Sequence, residues 1–173
     1  MKVICISAKA QHGKDTSALI LRNFYEKQGK KVLITHYADL LKYICKTFFN
    51  WNGEKDTYGR TLLQQVGTDI VGAQQPDFWV DFIISILQFF KDSWDVVIIP
   101  DCRYVNEIEK MKSNFDTTVI RIIRPDFDNG LSPTQKLHIS ETALDNFNFD
   151  YVVHNTGSIA DLEAKLYKIG ENL

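Results

Sequence analysis

Five short runs rich in valine and isoleucine recur along the 173-residue chain, and helical patterns separate them. The runs are continuous in apolar residues rather than alternating, as expected for strands that are covered on both faces. Strands separated by helices join into parallel βαβ units. The pattern predicts an α/β fold with strands over residues 2–7, 31–36, 95–99, 117–123 and 149–154, and helices over residues 15–28, 40–49, 61–71, 77–91, 103–112 and 158–169.

The composition is that of one folded domain, with 45% hydrophobic residues to build its core. A formal net charge of −2 argues against a large basic surface for nucleic acid. Three scattered cysteines without CxxC spacing argue against a disulfide framework or a zinc site. They indicate a protein of the reducing cytosol. No apolar stretch reaches the roughly 20 residues of a membrane span, and the N-terminal apolar run is too short for a signal peptide. We therefore expect a soluble protein.

The stretch SAKAQHGKDTSA, residues 7–18, resembles a phosphate-binding loop but departs from the strict pattern at two positions. Gly13 and Lys14 are in place, whereas Ala8 replaces the first glycine and Asp15 replaces the hydroxyl residue that ligates magnesium. Alanine is tolerable at the first position if its φ is negative. Backbone N–H groups and the N-terminus of the next helix can hold phosphate whatever the side chains are. Thr16 could supply the hydroxyl, or Asp15 could act through water, and a plain turn is the alternative to both.

Polar residues follow the carboxyl ends of the predicted strands, where ligands bind in open parallel sheets. Asp101 ends the third strand, a position from which an acid holds magnesium or its waters, and Arg103 could meet phosphate with its planar guanidinium. The alternatives are that Asp101 caps the next helix and that Arg103 is a solvated surface residue. Arg124 follows the fourth strand, whereas Arg121 points to the opposite face and is expected to be structural. The histidines show no ligand spacing.

Two further segments carry predictions of their own. Residues 125–148 are rich in Pro, Gly, Asp, Asn and Ser, which predicts a largely irregular lid. The 77–91 helix is expected to lie in the core, with a homodimer contact as the alternative because its apolar face is wide. That face consists of Trp79, Phe82, Ile83, Ile86, Leu87 and Phe90.

Six stretches occur in order across almost the whole chain: GKDTSA, LLQQVGTDIV, IIPDCRYVNEIEKM, VIRIIRP, HISE and VVHNTGSIADLEAKL. Together they resemble phage-type deoxynucleoside monophosphate kinases, P-loop kinases that phosphorylate deoxynucleoside monophosphates (dNMPs) with ATP. That family also accepts aspartate after the loop lysine. The resemblance implies a single three-layer domain over residues 1–173, with a five-stranded parallel sheet in the order 2-3-1-4-5 flanked by helices. It also implies an acceptor-binding helical region at about 38–92 and a short lid at about 125–148.

The resemblance also implies roles for matching residues. For ATP binding these are Lys9, Gln11, His12, Gly13, Lys14, Asp15 and Thr16 in the loop, with Asn155, Thr156 and Gly157 in the turn that holds adenine. For acceptor binding they are Asp39, Lys42, Arg60, Gln64, Asp69, Trp79 and Arg103. Magnesium would be held by Asp15, Thr16 and Asp101. The catalytic residues would be Lys14, Arg60, Asp101, Arg103 and Arg124.

We therefore expect ATP- and Mg²⁺-dependent phosphorylation of a deoxynucleoside 5′-monophosphate to the diphosphate. One rival is a P-loop kinase for another small acceptor, such as dephospho-coenzyme A or phosphomevalonate, because phosphomevalonate enzymes also carry a GKD loop and an Asp-x-Arg stretch. The other is a non-catalytic nucleotide-binding module. The expected partners are ATP and a dNMP, without nucleic acid or membrane, and the expected location is the cytoplasm, that of the host if the protein is viral.

Overall fold

A five-stranded parallel sheet forms the centre of the computed structural model, which describes residues 1–173. The strands are β1 (Lys2–Ala8), β2 (Val32–Ile34), β3 (Val96–Ile99), β4 (Asp116–Ile123) and β5 (Tyr151–His154). Their order across the sheet is β2-β3-β1-β4-β5, which confirms the expected topology. The central strand β1 pairs with β3 on one side and with β4 on the other.

Helices cover both faces of this sheet. They are α1 (Lys14–Glu26), α2 (Ala38–Phe48), α3 (Thr57–Gln64), α4 (Phe78–Phe89), α5 (Val105–Asn114), α6 (Pro133–Leu137), α7 (Ile139–Thr142) and α8 (Ile159–Gly170). A π-helical segment, Gln65–Gly72, continues α3. None of the helices has both the length and the apolar character that a membrane span requires.

Two hydrophobic cores, one on each face of the sheet, explain why the strand sequences are continuously apolar. Successive strand residues point to opposite faces. In β1, Ile4 and Ile6 pack in the core that contains residues of α1 and α8. Val3 and Cys5 pack in the core that contains residues of α2, α3, α4 and α5. All three cysteines are buried and unpaired, as expected for small core residues.

The helix predicted at 61–71 differs from the observed structure in its start and in its geometry. It begins earlier because the side chain of Asp56 accepts a first-turn backbone N–H at 2.7 Å and caps α3. Its second half is the π-helical segment, a conformation that often marks functional sites. Within it, the carbonyl oxygen of Gly67 accepts the indole N–H of Trp79 at 2.9 Å. This contact fixes the segment against α4.

The predicted lid, residues 125–148, is more regular than expected, because it contains α6 and α7. The side chain of Ser132 accepts the N–H of Gln135 and starts α6, a capping-box pattern that was readable in the sequence. Leu131 and Leu144 are buried and anchor the lid to the rest of the molecule.

The apolar face of α4 is only partly used by the core. Trp79, Ile83 and Leu87 are buried, which confirms the core prediction for this half of the face. Phe82, Ile86 and Phe90 are 38%, 40% and 48% exposed.

Arg121 links the lid to two strands of the sheet, which confirms its expected structural role. Its guanidinium is almost fully buried and donates to Ser7 Oγ at 2.8 Å and to Asp145 Oδ1 at 3.1 Å. Asp145 also accepts a bond from Lys9 Nζ at 3.0 Å. One lid carboxylate therefore neutralises two cations, one in β4 and one in the loop after β1.

Replacing Asp145 with alanine is expected to destabilise the protein by about 1–3 kcal/mol, because it leaves the buried Arg121 guanidinium without its counterion. The matched control is Asp128→Ala, which breaks an exposed lid ion pair with Lys136 and should change stability much less, because solvent screens such pairs. Urea unfolding at pH 7 measures both. Equal losses in the two variants would contradict a structural role for the Arg121 pair.

Candidate active site

A cavity of about 220 Å³ lies at the carboxyl edge of the sheet, where the loop after β1, helices α2 and α3 and the lid meet. It is lined by many of the predicted site residues: Lys14, Asp15, Lys42, Arg60, Gln64, Trp79, Asp101 and Arg103. The fold therefore brings together residues that are up to 89 positions apart, from Lys14 to Arg103 (103 − 14).

Two residues predicted for acceptor binding do not line this cavity. Asp39 accepts a bond from Lys42 Nζ at 2.9 Å and from the backbone N–H of His36 at 3.0 Å. Asp69 lies 3.7 Å from the ring of His138 in the lid. Asp39 therefore holds a lysine and a backbone group, and Asp69 lies beside the lid, so neither carboxylate forms the cavity wall.

The loop between β1 and α1 adopts a left-handed backbone at two positions, and only the non-glycine one is strained. Gln11 and Gly13 have left-handed φ angles of 61° and 100°, whereas Ala8 ends β1 outside that region, which satisfies the condition under which alanine is tolerable. A Cβ on Gly13 would lie 2.8 Å from the side-chain nitrogen of Asn155. That nitrogen donates to the carbonyl oxygen of His12 at 3.1 Å. The turn that begins at Asn155 is thus packed directly on the loop.

Arg124 lies on the other side of the loop, away from the cavity. Its backbone N–H donates to His12 Nδ1 at 3.0 Å, and its guanidinium stacks on Phe127, 3.9 Å from the ring centroid. Burial lowers the pKa of His12, with Arg121 adding to the effect, so the ring remains a neutral acceptor for this bond. The guanidinium of Arg124 has no carboxylate partner and is available to an anion next to the loop.

Lys14 and Asp15 form an ion pair at the cavity wall. Lys14 Nζ lies 2.6 Å from Asp15 Oδ2, and His36 Nε2 lies 3.9 Å from Asp15 Oδ1. The neighbouring His36 ring and then Lys14 hold the pKa of Asp15 well below its usual range, and Asp15 in turn raises the pKa of His36. Asp15 is therefore a carboxylate at neutral pH, the form in which it can bind a metal ion.

The carboxylate of Asp101 fixes the start of α2. Its two oxygens accept the backbone N–H groups of Tyr37 and Ala38, each at 3.0 Å. The alternative that Asp101 caps the next helix in sequence is therefore wrong, because the helix it caps precedes it by more than 60 residues. Only the parallel pairing of β2 with β3 brings that helix to Asp101.

Arg103 is bonded to the lid rather than solvated, so the surface alternative is also wrong. Its guanidinium donates to the carbonyl oxygen of Ser140 at 2.8 Å and forms an ion pair with Glu141. The nearly buried Glu141 carboxylate also accepts the backbone N–H of Ala10 at 3.2 Å. A lid carboxylate thus joins the phosphate-binding loop to Arg103.

Glu107 is a buried acid on the cavity wall. It is 6% exposed, and its Oε2 accepts the backbone N–H groups of Arg103 at 2.6 Å and of Tyr104 at 2.9 Å. Burial raises the pKa of Glu107 to about 8, although the two N–H groups oppose this rise. Glu107 therefore carries a proton at neutral pH.

Sequence reasoning missed four residues that the structure places in or beside the site: His36, Lys55, Glu107 and Glu141. His36 ends the second predicted strand, and Glu107 occupies the third position of a helix, where a Glu often caps the N-terminus. Those two positions were readable signals. Glu141 lies in the HISE stretch, but its partners come from the loop after β1 and from the turn after β3, far away in sequence. Lys55 has no local pattern.

A comparison with known protein families supports these observations. A family model described as deoxynucleotide monophosphate kinase matches residues 23–166. The deoxynucleotide monophosphate kinases of Escherichia phage RB69 and Enterobacteria phage T4 are each 32% identical to the chain, over 121 and 109 residues. These matches cover 68% and 62% of this chain but 47% and 43% of the relatives. The chain thus spans about half the length of the curated relatives it matches.

Two of the solved structures that share this fold are kinases of other small molecules. The APS kinase of Mycobacterium tuberculosis, in complex with AMPPNP and APS, has a TM-score of 0.58 at 10% identity, covering 98% of this chain and 97% of its own. The dephospho-CoA kinase from Campylobacter jejuni has a TM-score of 0.56 at 16% identity, covering 99% and 97%. At such identities the likeness shows the fold alone.

The protonation of Glu107 predicts a loss of stability with rising pH. The folded protein keeps this proton up to about pH 8, whereas the unfolded chain releases it near 4.5, so stability falls as the pH rises through that window. Glu107→Gln keeps an acceptor oxygen without the ionisation and should be more stable than the wild type at pH 9 but not at pH 4. Urea unfolding across this range, with the exposed Glu109→Gln as the control, measures the difference. Parallel curves for wild type and Glu107→Gln would contradict it.

Proposed function

The chain belongs to the deoxynucleotide monophosphate kinase family, and we propose that it transfers the γ-phosphoryl group of ATP to the phosphate of a deoxynucleoside 5′-monophosphate. The observation that carries this proposal is the position of two cations. Lys14, from the phosphate-binding loop, and Arg60, from α3, line the same cavity. A kinase with an anionic acceptor requires such an arrangement, because a donor phosphate and an acceptor phosphate must be brought together despite their mutual repulsion.

On the donor side, we propose that the loop residues 9–16 hold the phosphates of ATP through their backbone N–H groups. Lys9, Gln11, His12, Gly13, Lys14, Asp15 and Thr16 form this loop, and Asn155, Thr156 and Gly157 form the turn packed against it, which we assign to adenine. Arg124, whose guanidinium lacks a carboxylate partner, supplies further positive charge beside the loop. Fixed N–H groups and charges of this kind stabilise phosphoryl transfer without reorganising during the reaction.

In the reaction, an oxygen of the acceptor monophosphate forms a bond to the γ-phosphorus while the bond to the β,γ-bridging oxygen breaks. ADP leaves, and the acceptor becomes the diphosphate. The acceptor oxygen is already ionised, so the protein supplies positioning and charge rather than a strong base. We assign the positive charge that holds the donor phosphates to Lys14 and Arg124. The positive charge that holds the acceptor phosphate is assigned to Arg60 and Arg103. Gln64, Trp79 and Lys42 form the remaining acceptor wall, with Asp39 and Asp69 behind it.

The lid, residues 125–148, is proposed to exclude water during transfer. Water would otherwise accept the phosphoryl group. Glu141 supports this role, because it joins the lid to the loop backbone at Ala10 and to Arg103. Closing the lid therefore also orients an arginine of the site.

Magnesium is expected in this reaction, and the side chains at the cavity fit it. Asp15 and Asp101 both line the cavity, and each Asp101 oxygen that accepts a backbone N–H retains a second lone pair. No group of three or more His, Cys, Asp or Glu side chains is placed to hold a metal ion. Magnesium in kinases is commonly held by one or two carboxylates together with substrate phosphates. We therefore assign it to Asp15 and Asp101, with Thr16 beside them, where it would neutralise phosphate charge.

An acceptor panel tests the proposed activity against its rivals. ADP release is measured with ATP, Mg²⁺ and, in turn, dAMP, dCMP, dGMP, dTMP, dephospho-coenzyme A and phosphomevalonate. Stimulation by at least one dNMP and by neither of the other acceptors is expected. ATP binding without stimulation by any acceptor would instead indicate a non-catalytic nucleotide-binding module.

Arg60→Lys is expected to raise the KM for the dNMP and lower turnover while leaving the KM for ATP nearly unchanged. A guanidinium holds a phosphate in a bidentate geometry, whereas an ammonium acts only as a point charge. Steady-state kinetics with each substrate varied in turn measure the effect. If neither the acceptor KM nor turnover changed, Arg60 would not hold the acceptor. A kinase that phosphorylates a hydroxyl group, as in dephospho-coenzyme A, would then be the better interpretation.

Asp101→Asn is expected to raise the magnesium concentration for half-maximal activity by roughly 10-fold to 100-fold. Asn can also disturb the start of α2, because its NH₂ group would face a backbone N–H. Asp39→Asn is the matched control, since Asp39 also accepts a backbone N–H at this turn but does not line the cavity. A loss of folding stability with an unchanged magnesium titration would show that Asp101 is purely structural.

We also propose, as a second feature, a homodimer through α4. The half-exposed Phe82, Ile86 and Phe90 and the strongly exposed Phe89 form an apolar surface that an isolated subunit would leave in water.

Since the matched relatives are phage proteins, we place the activity in the cytoplasm of an infected cell, where ATP and dNMPs are present.

A further inference from the structure

Five lysine and arginine side chains line the cavity, and they fall into two groups. Three already have carboxylate partners: Lys14 with Asp15 at 2.6 Å, Lys42 with Asp39 at 2.9 Å, and Arg103 with Glu141. The other two, Lys55 and Arg60, line the same cavity, and their side chains make no hydrogen bond or ion pair. Among the cations that line the cavity, those without a carboxylate partner therefore lie just before α3 and in its first turn.

Lys55 is presented by a well-ordered turn between α2 and α3. On one side of it, the carbonyl oxygen of Glu54 accepts the indole N–H of the buried Trp51 at 2.9 Å. On the other side, Asp56 caps α3, whose first turn carries Arg60. Both neighbours of Lys55 are therefore fixed by hydrogen bonds, so ordering this turn around a ligand costs little conformational entropy.

The surroundings of Lys55 are positive. Burial lowers the pKa of its ammonium group, and Lys14, Lys42 and Arg60 lower it further, while Asp15 opposes them. Lys14 and Lys42 are partly offset by their own carboxylates, so Arg60 is the unneutralised cation of the three. Two unpaired cations lining one cavity are unfavourable unless an anion joins them. The same field would attract an anionic ligand and strengthen its binding.

We propose that Lys55 is a second ligand of the acceptor phosphate, which it holds together with Arg60. This inference rests on the proposed phosphorylation of a dNMP, whose phosphate is a dianion. Lys55 and Arg60 supply two positive charges from one turn and the helix that follows it, which matches that charge. Lys14 and the loop backbone remain available to the donor phosphates.

The test compares Lys55→Gln, Lys55→Arg and the control Lys30→Gln, which replaces an exposed, unpaired lysine at the opposite edge of the sheet. Calorimetry measures the Kd of each protein for the best dNMP of the acceptor panel without ATP, and separately for ATP. Lys55→Gln should weaken dNMP binding about tenfold, the equivalent of one charge-assisted hydrogen bond, and leave ATP binding unchanged. Lys55→Arg should retain most of the affinity, and the control should match the wild type.

Thermal unfolding without ligand distinguishes a role of Lys55 in ligand binding from a role in folding stability. Lys55→Gln removes a like charge from a positive cluster, so its unliganded Tm should be unchanged or higher. Equal dNMP affinities for wild type and Lys55→Gln, or a loss confined to ATP, would overturn the role of Lys55 while leaving the proposed function intact. If the wild type bound no dNMP at all, the proposed function would fail and the role of Lys55 with it.

Discussion

The parallel pairing of β1 with β3 and β4 is the constraint on which the site depends. Since all five strands run in one direction, their carboxyl ends meet at one edge, and the polar turns that follow them become neighbours. Backbone hydrogen bonds extend this order beyond the strands, from Cys102 to the carbonyl of Ile6 and from Asn155 to that of Ile123. The phosphate-binding loop, the start of α2 and the turn after β5 are therefore held against one another before any ligand binds.

The charges at this edge are divided between the lid and the cavity. Carboxylates of the lid neutralise Lys9, Arg103 and Arg121, and in doing so fasten the lid to the loop and to the sheet. Within the cavity, Arg60 and Lys55 have no such carboxylate partner. An anion that enters the cavity therefore meets the two unpaired cations Lys55 and Arg60, while the unpaired Arg124 offers a third positive charge on the other side of the loop, and such charges steer an anionic ligand towards this edge of the sheet.

Local signals predicted the parts of the structure that depend on neighbours in sequence. The continuous apolar runs predicted the five strands, and the spacing of Gly13 and Lys14 predicted a phosphate-binding loop. The sheet order and most residue roles came from the resemblance to a kinase family, since periodicity carries no information about which strands pair. The π-helical segment was missed because its contact with α4, the bond from the Trp79 indole to the Gly67 carbonyl, lies outside the repeat of a single helix. The start of α6, by contrast, carries a local capping box that the composition of the lid obscured.

The sequence by itself determined the fold class, the buried faces of the strands and the chemical types available at the sheet edge. Hydrophobic periodicity and turn chemistry are local and act wherever the residues occur. Only the tertiary structure decided which charges are neutralised. The folded structure shows that Asp101 holds the start of α2 and that Glu141 pairs with Arg103. It also shows that Lys55 lines the cavity without a carboxylate partner. An ion pair depends on distance in space, and residues such as Arg103 and Glu141, 38 positions apart, become neighbours only when the lid packs on the sheet.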